Sequence, residues 1–121
     1  ALFGIPAVRG VSFGTGFAAA SMRGSEHNDP FIMDGDRVSA RTNHAGGVLG
    51  GITTGMPLVV NIGIKPTASI AKEQDTVDLE KRENARLIIH GRHDPCIVPR
   101  AVPVVEAVTA LTLLDMLLED N

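Results

Sequence analysis

The chain has 121 residues, enough for about one domain with a core of ordinary size, and a formal net charge of -3 at pH 7. This charge provides no basic field for nucleic acid, so nucleic-acid binding is not expected. The single cysteine excludes an internal disulfide and any site with several thiolate ligands. No apolar run reaches the roughly 18 uninterrupted residues of a membrane span. No basic-then-apolar leader opens the chain, and we expect a cytoplasmic protein without membrane association.

The N-terminal region begins with a predicted strand over residues 5–13, followed by a small-residue helix from Phe17 to Met22. Between them, residues 14–19 match the G-x-G-x-x-A pattern of dinucleotide sites. The turn-forming residues 24–30, predicted to be a loop, interrupt the chain where the second strand of such a unit should begin. We therefore do not expect a dinucleotide site here.

Glycines occur at turn positions and in one dense run in the middle of the chain. Asp34-Gly35 lies between two short apolar segments and predicts a tight hairpin, because glycine tolerates positive φ. Further on, five of the ten residues from Gly46 to Gly55 are glycine. Such a run allows the backbone to approach a ligand that a side chain would exclude.

A predicted strand over Leu58–Ile64 delivers the segment Lys65–Ser69 at its end. The glycine run lacks the Lys-Ser or Lys-Thr ending of a Walker A loop. The Lys65 cation, the hydroxyls of Thr67 and Ser69, and the bare amides of the glycines would together suit an anionic ligand. The alternative is a glycine-rich turn and an unrelated surface lysine.

The last third of the chain combines a hairpin and a helix. The predicted hairpin joins Thr76–Leu79 to Ala85–Ile89, and the predicted helix runs from about Val98 or Pro103 to Leu118. Its polar residues form one narrow stripe, so the helix should be nearly surrounded by protein: Glu106, Thr109, Thr112, Asp115 and Glu119. Strands followed by one enclosed helix predict an α+β fold in which sheet covers helix.

The segment Gly91–Cys96 carries the densest chemistry, since it places Arg92, His93, Asp94 and a thiol between a strand and a helix. A guanidinium suits carboxylate or phosphate oxygens, and a carboxylate or an imidazole can accept a proton. The alternative is structural, with Asp94 capping the helix and Arg92 pairing with a surface acid. Both interpretations stay open on these residues alone.

Metal binding is not expected. The four histidines lack paired metal-ligand spacing: His27, His44, His90 and His93. The crowding of His93, Asp94 and Cys96 also argues against a metal. Cys96 beside His93 could be a nucleophile, but we favour a small buried cysteine that closes the junction between strand and helix.

Five motifs, in order, resemble the C-terminal third of chorismate synthases, nearly from end to end. The segments are IPAVRGVSFGTGF, RGSEHND, RTNHAGGVLGGITTGMP, IKPTASI and GRHDPCIVPRAVPVVEAV. The family converts 5-enolpyruvylshikimate 3-phosphate to chorismate by a 1,4-elimination of phosphate and a ring proton, and it requires reduced FMN. The resemblance therefore implies a carbon-oxygen lyase of aromatic amino acid biosynthesis.

The resemblance also implies the site residues. The positions expected to contact FMN are Gly50, Lys65, Pro66, Thr67, Ala68, Ser69 and Arg92, with Pro6 and Ala7 supplied across a subunit boundary. Asp94 is the expected catalytic acid-base residue beside the flavin, and Arg92 is expected to help hold the substrate's anionic groups. Lys65 is expected to steady FMN rather than act as a base. The family often has Asn-Ala at residues 6–7, whereas Pro6 has neither an amide side chain nor a backbone N–H.

The family fold implied is a β-α-β sandwich of antiparallel sheets on long central helices, assembled as a homotetramer. We expect residues 1–121 to be one C-terminal fragment of such a domain, without the N-terminal two thirds that carry the family's two catalytic histidines. The isolated chain should then lack turnover and should associate or dissolve poorly. The alternative is a noncatalytic FMN-binding or assembly fragment of the same fold.

Overall fold

The computed structural model describes residues 1–119 and shows a mixed α+β chain. Contacts divide it into two compact units, one from Ala1 to Ile64 and the other beginning at Lys65. Within residues 1–119 the strands form four antiparallel, two-stranded sheets. The strands are β1 Val8–Phe13, β2 Phe31–Asp34, β3 Arg37–Ala40, β4 Val48–Leu49, β5 Ile52–Thr53, β6 Val60–Ile64, β7 Gln74–Asp78 and β8 Glu83–Leu87. The α-helices are α1 Gly24–His27 and α2 Val98–Glu119.

The first unit is built on the pairing of β1 with β6, in a register that sets Val11 opposite Ile62. The pairing is antiparallel, and a short 3-10 helix over Gly16–Ser21 follows β1 where the sequence predicted a helix over residues 17–22. A dinucleotide unit needs parallel strands and a crossover helix. The expectation that the GTG motif is not such a site agrees with this geometry.

The predicted first strand was too long at its start because residues 5–8 form a turn. The N–H of Val8 donates to the carbonyl of Ile5 at 3.2 Å, with Pro6 and Ala7 in the centre of the turn. Ala7 has φ 70°, and proline followed by a residue of positive φ is typical of a type II turn. Ile5 and Val8 at its ends belong to the small buried core.

Two tight hairpins follow. β2 and β3 pair from Phe31↔Ala40 to Asp34↔Arg37, which confirms the predicted hairpin but places Gly35 and Asp36 in the turn. The prediction that residues 24–30 form only a loop was wrong, because Gly24–His27 is a single helical turn. Its start is stabilised by the Glu26 carboxylate, which accepts from the N–H of Arg23 at 2.8 Å.

In the second unit, β7 and β8 pair from Gln74↔Leu87 to Asp78↔Glu83, which confirms the predicted hairpin with its bounds shifted toward the N-terminus. The turn accounts for the shift: the Asp78 carboxylate accepts from the N–H groups of Glu80 and Lys81 at 3.0 Å each. An ion pair between Arg86 Nε and Asp75 Oδ1 at 3.0 Å joins the two strands.

The long helix α2 confirms the predicted element, and it contains Pro103 in its interior. None of its residues is buried, so the expectation of a nearly surrounded helix is wrong for this chain, whose two-stranded sheets offer no broad face. Its most apolar 18-residue window has a mean hydropathy of 1.8. By length and composition alone the helix could span a membrane, a test that core helices of other proteins also pass.

The least exposed side of α2 is not the side that the pattern predicted. Its half-buried residues are Ala101, Val105, Val108, Thr109 and Thr112. Both threonine hydroxyls donate to the carbonyl four residues earlier at 2.8 Å, which satisfies their polarity internally. Large apolar side chains are exposed instead: Val102, Val104, Leu111, Leu113, Leu114, Met116 and Leu118.

Candidate functional site

The junction between β8 and α2 holds the motif with the densest chemistry, over residues 91–97. Gly91 adopts φ 152°, and the segment then runs without regular structure to the start of the helix. The Arg92 side chain is exposed, and among residues 1–119 it makes no hydrogen bond or ion pair. Its guanidinium is therefore free to bind an anion from outside this unit.

Asp94 is paired with an arginine that the sequence interpretation did not single out. Nη1 of Arg100 lies 2.9 Å from Oδ2 of Asp94. The Asp94 side chain is 36% exposed and that of Arg100 is 74% exposed, so the carboxylate is the less exposed partner. Within residues 1–119 Asp94 accepts no backbone N–H of the helix and Arg92 has no ion pair, so neither half of the structural alternative is observed there. Asp94 is tied to the first turn of the helix only through the Arg100 side chain.

His93 and Cys96 differ in their surroundings. His93 is half-buried, and its Nε2 has no hydrogen-bond partner within the described part of the chain. A Cβ placed on Gly91 would lie 3.5 Å from this atom, an ordinary contact distance, so the φ of 152° rather than a lack of space favours glycine here. Cys96 is exposed, which overturns the expectation of a buried cysteine, because no residue in the described range 1–119 covers it.

The segment Lys65–Ser69 is irregular and follows directly on β6. Lys65 and Ser69 are exposed and Thr67 is half-buried, and in the described residues these three side chains make no hydrogen bond or ion pair. The segment is held instead through its backbone, since the Gln74 amide donates to the carbonyl of Ala68 at 3.2 Å. A cation and two hydroxyls thus stay available to an anionic group.

Gly50 lies in a small hairpin that the sequence interpretation missed. Leu49 pairs with Ile52, and Gly50 and Gly51 form the two-residue turn with φ 56° and 84°. Positive φ at both positions is the requirement of a type I′ turn. A Cβ at Gly50 would meet nothing within 4 Å, so its backbone faces open space that a ligand can approach.

The earlier glycines of the run serve packing rather than access. Gly46 and Gly47 are buried. A Cβ on Gly47 would lie 2.6 Å from the carbonyl oxygen of Pro57, and one on Gly46 would meet the backbone nitrogen of Gly14. The glycine run therefore begins as a tightly packed segment and ends as an open turn.

Asp29 fixes the backbone that immediately precedes the glycine run. Its carboxylate accepts from the Thr42 hydroxyl at 2.7 Å and from the N–H groups of His44 and Ala45 at 2.8 and 2.9 Å. Desolvation alone would raise the pKa of Asp29, but these hydrogen bonds, with the nearby His44 ring, lower its pKa below the ordinary 3.8. Asn43 continues the clamp, because its side chain bonds the N–H of Gly47 and the carbonyl of Pro57.

His44 connects this segment to the GTG motif. The N–H and the hydroxyl of Thr15 contact the carbonyl of His44 at 2.9 and 3.2 Å, and the hydroxyl lies 3.1 Å from His44 Nδ1. The His27 ring lies next to it, with ring centroids 5.5 Å apart. No three potential metal ligands cluster anywhere in residues 1–119.

The predicted site residues are thus divided between the two units. Gly50, Pro6 and Ala7 belong to the first, whereas the segment Lys65–Ser69 and the junction with Arg92 and Asp94 belong to the second. In the described residues no hydrogen bond or ion pair joins Lys65–Ser69 to Arg92 or Asp94. A cavity of about 490 Å³ on the β7–β8 hairpin is lined by none of them.

Sequence reasoning missed Arg100 and the Asp29 clamp. The signal for Arg100 was its place in the first turn of a helix. Acidic residues are favoured there, so a basic residue at this position indicates a specific acidic partner. The signal for Asp29 was an Asn-Asp-Pro turn followed by a second turn-forming segment at residues 42–44.

Comparisons with known proteins agree on one family. The family model for chorismate synthase matches residues 1–118. Chorismate synthases of Archaeoglobus fulgidus and Thermococcus gammatolerans are 58% and 60% identical over 118 residues, which is 98% of this chain and 33% of each relative. A crystal structure of chorismate synthase matches 54% of this chain and 20% of its own, with 41% identity and a TM-score of 0.51. The chain spans about a third of the length of these relatives.

Proposed function

The chain belongs to the chorismate synthase family, and from this premise we propose that it is the C-terminal third of a chorismate synthase. The reaction is the 1,4-elimination of phosphate from 5-enolpyruvylshikimate 3-phosphate, with reduced FMN as cofactor, in the cytoplasm. One observation carries the proposal: Lys65, Ser69 and Arg92, at positions expected to contact FMN, are exposed and make no hydrogen bond or ion pair within residues 1–119. Two cations and a hydroxyl left unpaired in this way are available to an anionic ligand.

The residues present fit FMN by the chemistry of their donors. Lys65, Thr67, Ser69 and Arg92 offer two cations and two hydroxyls, and the open turn at Gly50 offers bare backbone. Pro66 and Ala68 shape the segment between the polar residues. Anionic oxygens of a flavin phosphate, or the polar edge of its ring, are the complement of such groups. Residues 6 and 7 contribute at most a carbonyl and the N–H of Ala7, since Pro6 has no donor.

When bound, reduced FMN would supply electron density for the elimination, although the reaction has no net redox change. Two residues of the chain itself have proposed roles in the reaction. Asp94 holds or releases a proton beside the bound flavin, and Arg92 neutralises anionic groups of cofactor and substrate. A cation near departing phosphate stabilises the charge that develops as the bond breaks.

The remaining two thirds of the enzyme would supply what this chain lacks. None of its four histidines lies in a motif that the resemblance assigns to acid-base catalysis, so the 121 residues alone should not turn over substrate. The apolar surface of α2 is the expected surface of a central helix, covered by sheets of the full sandwich in a homotetramer. Cover by protein rather than lipid accords with the acidic residues Glu106 and Asp115 in the helix.

Replacing Asp94 by asparagine in the full-length enzyme tests the proposal. Asparagine keeps the shape of the side chain but cannot exchange a proton at neutral pH, so we expect turnover to fall about 100-fold or more. Affinity for reduced FMN should stay within about tenfold, or about 1.4 kcal/mol. Chorismate formation is followed by absorbance under anaerobic conditions. Unchanged turnover would remove Asp94 from the mechanism.

The second candidate is a noncatalytic FMN-binding or assembly fragment of the same fold, which would be favoured by finding no upstream two thirds in the source gene. Anaerobic titration of the 121-residue chain with reduced FMN, then addition of substrate, shows what the chain does alone. Binding without product means that the cofactor half-site forms in this chain and catalysis needs the missing residues. The second candidate is ruled out if the source gene encodes a full-length enzyme that forms chorismate.

A further inference from the structure

We infer that Arg100 is a positioning residue for Asp94: it anchors the carboxylate through Oδ2, while the carboxylate keeps acceptor capacity for a proton. The inference rests on the proposed function, in which Asp94 is the catalytic carboxylate. It adds a residue that the motif analysis did not assign and gives the two arginines of the junction different roles.

The contact between the two side chains is short. Nη1 of Arg100 lies 2.9 Å from Oδ2 of Asp94, within the range of a charge-assisted hydrogen bond. Among residues 1–119 the Asp94 carboxylate pairs with no residue other than Arg100. A carboxylate held by one planar guanidinium has its rotamer restrained, and its remaining acceptor capacity is available to a proton.

The guanidinium is itself attached to a fixed element. The N–H of Arg100 donates to the carbonyl of Ile97 at 3.0 Å in the first turn of α2, and the N–H of Ala101 donates to the same carbonyl. The backbone of Arg100 is therefore held by the helix, whereas Asp94 lies in an irregular segment. Through the ion pair with Arg100, the helix restrains the position of the Asp94 carboxylate.

Arg92 does not share this role. It lies two residues before Asp94, but among the described residues it makes no ion pair with that carboxylate or any other. Arg92 is left free for an external anion, while Arg100 restrains the residue that moves the proton. Because the pair is largely exposed, its contribution to folding should be small, and a loss of function would not follow from unfolding.

The test uses four variants of the full-length enzyme: Arg100→Gln, Arg100→Lys, Asp94→Asn and the double variant Asp94→Asn/Arg100→Gln. Arg86→Gln is the matched control, since Arg86 is 62% exposed and pairs with Asp75 at 3.0 Å outside the junction. For Arg100→Gln we expect kcat to fall at least about tenfold, because the carboxylate loses its orientation. Substrate KM and affinity for reduced FMN should stay within about threefold, and the melting temperature within about 2 °C.

Arg100→Lys should recover part of kcat, because an ammonium keeps the charge without the planar fork. The double variant should be no slower than Asp94→Asn, because Arg100 acts through that carboxylate. If Arg100→Gln does not fold, the lysine variant decides: a kcat below that of Arg86→Gln with unchanged FMN affinity supports the inference, and an equal kcat overturns it.

The inference is overturned if Arg100→Gln matches Arg86→Gln in kcat, if the two losses add in the double variant, or if FMN affinity falls in parallel with kcat. Failure of the proposed function gives a different result. A wild-type enzyme that produces no chorismate, or an Asp94→Asn variant with full activity, overturns the proposed function and the inference together.

Discussion

The two units of the chain differ in how their polar side chains are paired. In the unit Ala1–Ile64, Asp29, Asn43 and Thr15 each bond to backbone at distant positions in the sequence. In the described part of the unit that begins at Lys65, the motif side chains of Lys65, Thr67, Ser69 and Arg92 have no partners, and Asp94 pairs with Arg100. The first unit uses these polar residues to define its own fold. The second unit also has structural polar bonds, as at Asp78, but leaves its expected ligand-binding side chains unpaired within residues 65–119.

This difference explains why similar residue types have different meanings along the chain. Asp29 and Asp94 are both half-buried aspartates next to turn-forming residues. Asp29 accepts three hydrogen bonds from within its unit, while Asp94 pairs with Arg100 alone among residues 1–119. A carboxylate that accepts three hydrogen bonds from its own unit is committed to the fold, and one with a single partner has more acceptor capacity left for a proton.

The largest expected effect comes from breaking the close packing of the first unit with Gly47→Ala. The added methyl would lie 2.6 Å from the carbonyl of Pro57, at a residue with φ 84°. Conformational strain and the clash together should cost about 3 kcal/mol or more of unfolding free energy. Gly51→Ala is the matched control, because Gly51 has the same φ but open space around it, and should cost only about 1 kcal/mol.

Chemical unfolding followed by circular dichroism measures both variants, since the chain has no tryptophan or tyrosine for fluorescence. Equal losses in the two variants would show that φ alone matters and that the contact at Gly47 is not tight.

A smaller effect is expected from Asp29→Asn, which replaces an acceptor by an amide that can present a donor to backbone N–H groups. Loss of these bonds should cost about 1–3 kcal/mol at pH 7. The lowered pKa of Asp29 in the folded chain means that its stabilisation is complete above the ordinary value of 3.8 and is lost as the pH falls through the lower folded value. The difference between wild type and variant should therefore shrink in acid.

Unfolding curves at neutral pH and at a series of values below pH 4 check this pattern. Asp36→Asn is the control, as Asp36 lies in the exposed β2–β3 turn and makes no hydrogen bond in the described residues. A difference that stays constant with pH would contradict the role assigned to the Asp29 carboxylate.

The smallest effect on stability is expected from Leu111→Lys in the second unit. The side chain is 65% exposed, so the unfolding free energy should change by less than about 0.5 kcal/mol. Self-association of the isolated chain should nevertheless fall several-fold, because the variant puts a charge in the apolar surface of α2. Leu79→Lys, at an 85% exposed position in the β7–β8 turn, should leave association unchanged.

Light scattering over a concentration series separates these outcomes. Equal reductions in association from the two variants would show that added charge, rather than the surface of α2, is responsible.

Much of the fold follows from local pattern. Turn dipeptides and short apolar runs predicted both long hairpins, and the apolar C-terminal segment predicted α2. The pattern could not predict the hairpin at Gly50, where the two strands have only two residues each. It also misplaced the shielded side of α2, because a threonine that bonds its own helix behaves as an apolar residue, which composition does not reveal.

For the candidate site, sequence motifs supplied the residue types but not their partners. The pairing of Asp94 with Arg100 depends on how the chain turns into the helix, and the openness of Gly50 depends on which glycines are packed. Exposure of Cys96 likewise depends on what lies above the junction. The roles of Lys65–Ser69, Arg92 and Asp94 stay predictions, and the variant Asp94→Asn tests the last of them.

Pro103, inside α2, is one of three prolines spaced four residues apart across the junction, with Pro95 and Pro99. Each ring fixes φ near about -65° whether or not the chain is folded. The segment that carries Asp94 and Arg100 therefore has fewer conformations to lose when it becomes ordered. In a region with little packing of its own, rigidity comes from covalent geometry, so the two side chains are kept near each other before any other part of the protein covers them.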